Sequence, residues 1–386
     1  MHTQCRMRPL VAASAACIAL VAPLHAAPSP AGFAREVEIS GPDLANNPLS
    51  LDRAVRRALV THPALQPRYL ERGIAPDALA QALTKVPGTL DIARDVLGPS
   101  TPGDTLRSAV LAAIAEAQSA WYTLAAAQAG RDAAEQARQA ALAHAELAEA
   151  QAHAGNLAEP ELLAARLAAL QAETELAHAA SALRAAQRTL NSQLGLPVTI
   201  EAGTTGLPPL PSRPVWLDDT TALLDFARRH ASAFKQALRA EATAEAVQAP
   251  HITARTITLP LGHNTTLLAD DGDRTRWPAA QLAAHTGLRE LEDAVLAAQQ
   301  QAAFAWRQAE LAAARQPLQA AATRAALQRY NGMLAGVDTL LERKREQLAG
   351  RQDEVAARRD AWIALAYLQV QLGGTLPAPL VTGGQP

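Results

Sequence analysis

The chain has 386 residues, with 35 Lys and Arg against 37 Asp and Glu, a net charge of −2 and 19% charged residues. That balance lacks the basic excess of a nucleic-acid binder, and 49% hydrophobic against 3% aromatic residues leaves alanine, roughly a quarter of the chain, as the bulk of the apolar content. Alanine favours helix and close helix approach while burying little area per residue, so the composition predicts long, tightly packed helices and excludes collagen, disulfide scaffolds and polytopic helical membrane proteins.

Residues 1–26 read as a secretory signal. Arg6 and Arg8 give it a positive start, Leu10 to Leu24 is its apolar run, and cleavage is expected after Ala26. Cys17 invites a lipoprotein reading, but Ser14 stands where a lipobox carries Leu and the apolar run continues past the cysteine. Cys5 and Cys17 both lie in the signal, so the mature chain is expected to be cysteine-free, without disulfides, thiol catalysis or Cys-zinc sites. Residues 27–49 follow as a Pro/Gly/Asn-rich extended segment.

From Leu51 to Val60 the apolar spacing predicts a short amphipathic helix capped by Ser50. Residues 73–103 alternate short helical runs with Pro76, Pro87, Pro99 and Pro102. A long helix is predicted over Thr105–Ala154, stopped by Gly155-Asn156, and a second runs from Pro160 to Leu194, closed by Gly195 and Pro197. After a Pro-rich linker at 197–215 the pattern restarts: helix over Leu217–Val247, a strand-like Ile252–Leu261, a long helix over Leu288–Tyr330 stopped by Asn331-Gly332, and a last helix over Val337–Leu372. Residues 375–386 form a tail.

The restart is an internal repeat. Gly155, Leu157, Glu161 and Leu163 line up with Gly332, Leu334, Asp338 and Leu340 at an offset of 177, and Leu194-Gly195 with Leu372-Gly373 at 178, a one-residue slip. The expected organisation is a first repeat at 50–196 and a second at 216–374. Leu341, Leu348, Val355 and Trp362 recur every seventh residue, and Leu176, Ala180, Leu183, Gln187, Leu190 and Leu194 step by four and three, which is a coiled-coil seam. Periodicity leaves two packings open: a sheet or barrel of helices, each with two seams, or an ordinary antiparallel coiled coil.

Four stretches resemble the TolC family of outer membrane efflux proteins: SLDRAVRRALVTHPALQ at 50–66, HAGNLAEPELLAARLAAL at 153–170 closing with LNSQLGLP at 190–197, TITLPL at 256–261, and RYNGMLAGVDTLLERKREQLAG at 329–350. Each is weak alone; their order and duplication make the resemblance specific. ERGIAPDALAQA at 71–82 and RYNGM at 329–333 are similar to a branch associated with metal-related gene clusters. The resemblance implies a mainly α fold of two tandem repeats of long antiparallel helical hairpins, a TolC-like α-barrel protomer, here with at most a vestigial β-strand region. It further implies a homotrimer in the outer membrane that faces the periplasm. A periplasmic adaptor and an inner-membrane pump would complete a tripartite efflux system exporting small molecules or metal ions.

The chain departs from that family where strands should cross the membrane. A spanning strand needs about 9–11 residues. Residues 83–104 offer none, and of residues 250–280 only Ile252–Leu261 qualifies, with Arg255 on the face of Ile257, Leu259 and Leu261. The alternatives are therefore a barrel-less, soluble periplasmic structural protein of the same descent, or, more distantly, a coiled-coil holdase.

By resemblance the adaptor contact falls on the hairpin tips: Gly155, Asn156, Leu157 and Glu161 in the first, Gly332, Met333, Leu334 and Asp338 in the second. The local chemistry agrees, since glycine permits a left-handed turn, an exposed leucine offers an anchor, and an acid suits the start of the next helix. The family often carries Ser where Ala158 and Ala335 stand. A closure with no partner is the bland alternative. Asp270-Asp271-Gly272-Asp273 lacks the late Glu of a calcium loop, Gln281 standing in its place, and reads as a solvated turn. His144, His153 and His178 lack metal spacing and read as solvated or packed. Arg343, Lys344, Arg345 and Glu346 read as a solvated face. No catalytic set, phosphate loop or dinucleotide fingerprint stands out, so neither an enzyme nor a cofactor is expected.

Overall fold

The computed structural model describes residues 48–73, 75, 105–197, 201–246, 252–258, 264–270 and 276–378. The signal, the runs at 76–103 and the end of the tail lie outside the described residues.

Helix α1, Leu51–Thr61, starts where Ser50 accepts a hydrogen bond from the Arg53 N–H, and it buries Ala54, Val55, Ala58 and Leu59 on one face. A short α2, Gln66–Arg72, follows; sequence reading missed it. Helices α3, Thr105–His153, and α4, Glu159–Gln193, form the first long hairpin. A 3-10 turn at Val215–Leu217 leads into α5, Thr220–His230, whose N-cap Asp219 accepts from the Ala222 N–H. Then comes α6, Ser232–Ala246. The single helix expected over Leu217–Val247 is thus broken at Ala231, which is extended (ψ 127°). No proline or glycine marks that break; a tertiary contact from Gly373, described below, occupies it.

Strands β1, Ile252–Thr258, and β2, Asn264–Asp270, pair antiparallel with Ile252 opposite Asp270 and Thr258 opposite Asn264. The sequence showed only the first, because NTTLLAD lacks alternation; Leu259–Leu261 lie outside the described residues. Helix α7, Arg276–Asn331, begins twelve residues before the expected start, and α8, Val337–Gln371, completes the second hairpin.

The four long helices form one layer in the order α4, α3, α8, α7, with α3 and α8 each packed between two neighbours. This resolves the packing that periodicity left open in favour of a sheet of helices. The bulky side chains gather in the part of the layer away from the tips, where Leu59, Leu106 and Ile114 pack α1 against the start of α3. Leu49, Trp121, Leu124, Leu190 and Leu194 form one cluster, and Leu217, Phe234, Trp306, Leu365, Leu368 and Leu372 form another. Trp362 touches both, stacking on Tyr122 with ring centres 5.8 Å apart and lying 6.5 Å from Trp306. Nearer the first tip the core thins to an alanine seam of Ala141, Ala145, Ala169 and Ala172. Large apolar area therefore anchors the waist, and the hairpin ends rest on small contacts, which places the tips at the low-stability end of the molecule.

The repeat is regular in three dimensions. Helices α4 and α8 both span 35 residues and both end at a leucine C-cap, Leu194 and Leu372. Trp121 Nε1 donates to Leu49 O at 2.8 Å, and Gln299 Nε2, 178 positions later, donates to Leu217 O at 2.9 Å. Each thus clasps the segment that precedes the short opening helix. Gly195 (φ 59°) and Gly373 (φ 86°) follow the two C-caps, and each lies against the end of an opening helix, Thr61 and Ala231 respectively. The offset is 178 at both ends of the hairpin, so the slip expected from lining up Gly155 with Gly332 is corrected: the helix starts Glu159 and Val337 are also 178 apart.

Candidate functional site

Both tips close by the same backbone device on different residues. In the first, Gly155 adopts φ 76°, its N–H donates to Ala152 O, and the Asn156 N–H donates to Gln151 O at 2.8 Å. This pair of bonds is a Schellman motif with glycine at its left-handed position. In the second, the Met333 N–H donates to Tyr330 O at 2.9 Å and the Leu334 N–H to Arg329 O at 2.8 Å. The left-handed residue there is Met333, at φ 60°, whereas the Gly332 N–H still makes a helical bond to Gln328 O. The expectation that Gly332 supplies the left-handed turn is therefore corrected. The equivalent of Gly155 is Met333, and the equivalent of Leu157 is Ala335 rather than Leu334.

A non-glycine residue in the left-handed region costs about 1–2 kcal/mol. Met333→Gly is accordingly expected to raise stability by about 1 kcal/mol, and Gly332→Ala, whose added Cβ would meet nothing closer than 3.5 Å, to leave it unchanged. Urea unfolding midpoints of the two variants check this.

The side chains at the tips diverge. Met333 is 95% exposed and Leu334 74% exposed, beside the exposed Tyr330. The first tip offers exposed Asn156 and a half-buried Leu157. Glu161 turns back on its own helix start, its carboxylate accepting from the Ala158 N–H at 3.3 Å. Ala158 has no side-chain oxygen to complete the reciprocal cap. Asp338 is also engaged within the chain: its Oδ1 lies 3.0 Å from Nε2 of His144 on α3. His144 is mostly buried, and its Nδ1 has no hydrogen-bond partner. The polar contact of the ring is made through its Nε2 edge alone, toward Asp338. The histidine read as solvated or packed thus ties the second tip to the first hairpin. Helix α3 continues to His153 beyond His144, whereas α8 starts one residue before Asp338. At about 1.5 Å per residue the first tip stands about 12 Å further out than the second.

Two further features lie along the layer. Its outer edges carry apolar stripes that sequence reading did not single out: exposed Leu163, Leu167 and Leu170 on α4, and exposed Phe304, Leu311 and Leu318, seven apart, on α7. Leu163 to Leu170 lie opposite the face by which Ala165, Ala169 and Ala172 pack on α3, and the α7 stripe lies opposite buried Ala302, Ala309 and Trp306. A groove of about 840 Å³ runs across α3 between α4 and α8, lined by Gly130, Ala133, His178, Ala182, Arg351 and Arg359. Thr123 and Gly130 of its floor lie on the side of α3 opposite Gln128, which donates to Ala202 O of the inter-repeat segment, and Trp121, which donates to Leu49 O beside that segment. Among the described residues no cluster of His, Cys, Asp and Glu could hold a metal ion, and no helix is long and apolar enough to cross a membrane. Asp270 ends β2; Asp271 to Asp273 lie outside the described residues.

No family model matches the chain, and no curated protein is similar to it in sequence. Solved structures are similar in fold. The outer-membrane channel OprN is 17% identical with a TM-score of 0.54 over 84% of this chain and 90% of that one. A membrane protein from Pseudomonas aeruginosa is 16% identical with a TM-score of 0.57 over 86% and 92%. CusC, whose structures address transmembrane channel formation, is 14% identical with a TM-score of 0.54 over 84% and 96%. The chain has the TolC-like fold that its motifs resemble, a mainly α protomer of two long hairpins.

Proposed function

We propose that this chain is the outer-membrane channel component of a tripartite efflux system. Three copies would form a helical tunnel that exports small molecules or metal ions, docked by its tips to a periplasmic adaptor served by an inner-membrane pump. The observation that carries this reading is the pair of apolar stripes on opposite edges of the layer, at Leu163–Leu170 and Phe304–Leu318. Two different complementary edges associate head to tail, and such an interface closes into a ring when its rotation allows. Three four-helix layers at about 10 Å per helix give a circumference of about 120 Å, hence a tube about 40 Å across between helix centres. With the inter-repeat segment outside, the small-residue groove on the other side of α3 faces the tunnel. The likeness in fold to outer-membrane channels supports the same reading.

The adaptor contact belongs to the tips in this proposal, with Met333 and Leu334 as the apolar anchor, Asn156 and Leu157 as the first-tip contact, and Gly155 and Met333 shaping the turns, while Gly332 ends the helix before the second turn. Glu161 and Asp338 act from within, setting the helix start and the tie to His144. Met333→Asp with Leu334→Asp is expected to abolish crosslinking to the adaptor and to make cells as sensitive to a pump substrate as the deletion, with helicity unchanged. Undiminished crosslinking would remove the tip assignment.

A second reading is favoured by one observation: β1 and β2 have seven described residues each, against about 9–11 for a membrane-spanning strand. In it the hairpins serve a barrel-less periplasmic structural protein. Extraction decides between the two. A species that leaves the membrane in carbonate without detergent supports the barrel-less protein, and one that needs detergent supports the channel.

A further inference from the structure

Within residues 27–386, Met333 carries the only sulfur atom, since Met1, Met7, Cys5 and Cys17 all precede that segment. It is 95% exposed at the second tip, and among the described residues it is the only non-glycine with positive φ. The equivalent position of the first tip is glycine, which takes that conformation without strain. A thioether is thus held out to solvent, next to exposed Leu334, at a backbone position that glycine would fill more stably. Among the described residues almost nothing packs on its side chain, so neither its strain nor its exposure serves the packing they form.

We infer that Met333 is an oxidation site through which peroxide-class oxidants release the second tip from its partner. The inference rests on the tip-docking reading proposed above. In the reaction the thioether sulfur attacks one oxygen of hydrogen peroxide. The O–O bond breaks, an S–O bond forms, the sulfur is oxidised by two electrons to the sulfoxide, and the other oxygen leaves as water. The product is polar and chiral where the anchor was apolar and flexible. Because the side chain is already in solvent, oxidation changes the docking surface without disturbing a core. With no other sulfur in residues 27–386, the chemistry is confined to this one point of the tip.

The test uses the full chain in its own cells, with a photo-crosslinking residue placed at exposed Asn331. Adduct to the partner is measured before and after a hydrogen peroxide pulse. The purified protein is analysed by mass for one added oxygen on the Met333 peptide, and by circular dichroism for helicity. The expected result is one oxygen at Met333, unchanged helicity, and about a ten-fold loss of adduct in the wild type, with none lost in Met333→Leu. Met333→Gln, a polar stand-in for the sulfoxide, is expected to start at the low level without oxidant. Full adduct from the sulfoxide form, or a parallel fall in Met333→Leu, overturns the inference alone. Absence of adduct in both the untreated wild type and untreated Met333→Leu overturns the docking reading, and the inference with it.

Discussion

Replacing Gly373 by alanine is expected to lower stability by about 3 kcal/mol, the largest single-residue effect argued for this fold. Two costs add. The residue sits at φ 86°, where a Cβ costs about 1 kcal/mol or more. The added Cβ would also lie 2.7 Å from Ala231 Cα and 3.0 Å from Ala231 N. Those are backbone atoms at the α5–α6 break, so the obstruction cannot be relieved by a rotamer change, and overpacking of this kind costs about 1–3 kcal/mol. The strain falls on the cluster of Leu217, Phe234, Leu368 and Leu372 that anchors the second repeat. Two other glycines grade the prediction. Gly195→Ala, meeting Thr61 O at 3.1 Å, is expected to cost about 2 kcal/mol, and Gly155→Ala, with open space around it, about 1 kcal/mol. Urea unfolding midpoints should fall in that order, and equal midpoints for all three would show that the contact with Ala231 carries no energy.

Leu167→Glu combined with Leu318→Glu is expected to reduce the native mass from three chains to one while leaving helicity intact. Each substitution places a carboxylate in the middle of an edge stripe, 60% and 71% exposed in the protomer and covered in the proposed ring. Burying an unpaired charge costs several kcal/mol per site, and in a closed ring every interface carries both lesions. Leu70→Glu is the control. It is as exposed as the stripe residues but lies on the short α2, outside both stripes, and should leave the mass unchanged. Dissociation by Leu70→Glu as well would mean that general surface charge, not the stripes, governs assembly.

Much of the helical architecture was legible because its signals are local. Gly155-Asn156, Ser50 and the Leu-Gly pairs stop or start helices through backbone geometry that any sequence reading can use. The seven-residue recurrence through Leu348 and Trp362 likewise reports packing between neighbours. What stayed hidden was set by distant parts of the chain. The break at Ala231 has no local marker and follows from the approach of Gly373. The second strand, NTTLLAD, is legible only through its partner. The turn at the second tip was misassigned because glycine is the usual left-handed residue, and here Met333 holds that place next to an idle Gly332. His144 gave no sign of its partner because Asp338 is 194 residues away. The edge stripe at Phe304, Leu311 and Leu318 was visible as spacing, yet only the layer order shows that its outer face is uncovered.

In the proposed channel the two edges of the helical layer close three copies into a tunnel. Native mass measurement of the protein extracted from membranes tests it most directly. A species of three chains is expected, falling to single chains in the Leu167→Glu, Leu318→Glu variant. A stable single chain in the wild type, at concentrations where the helices are fully folded, would contradict it.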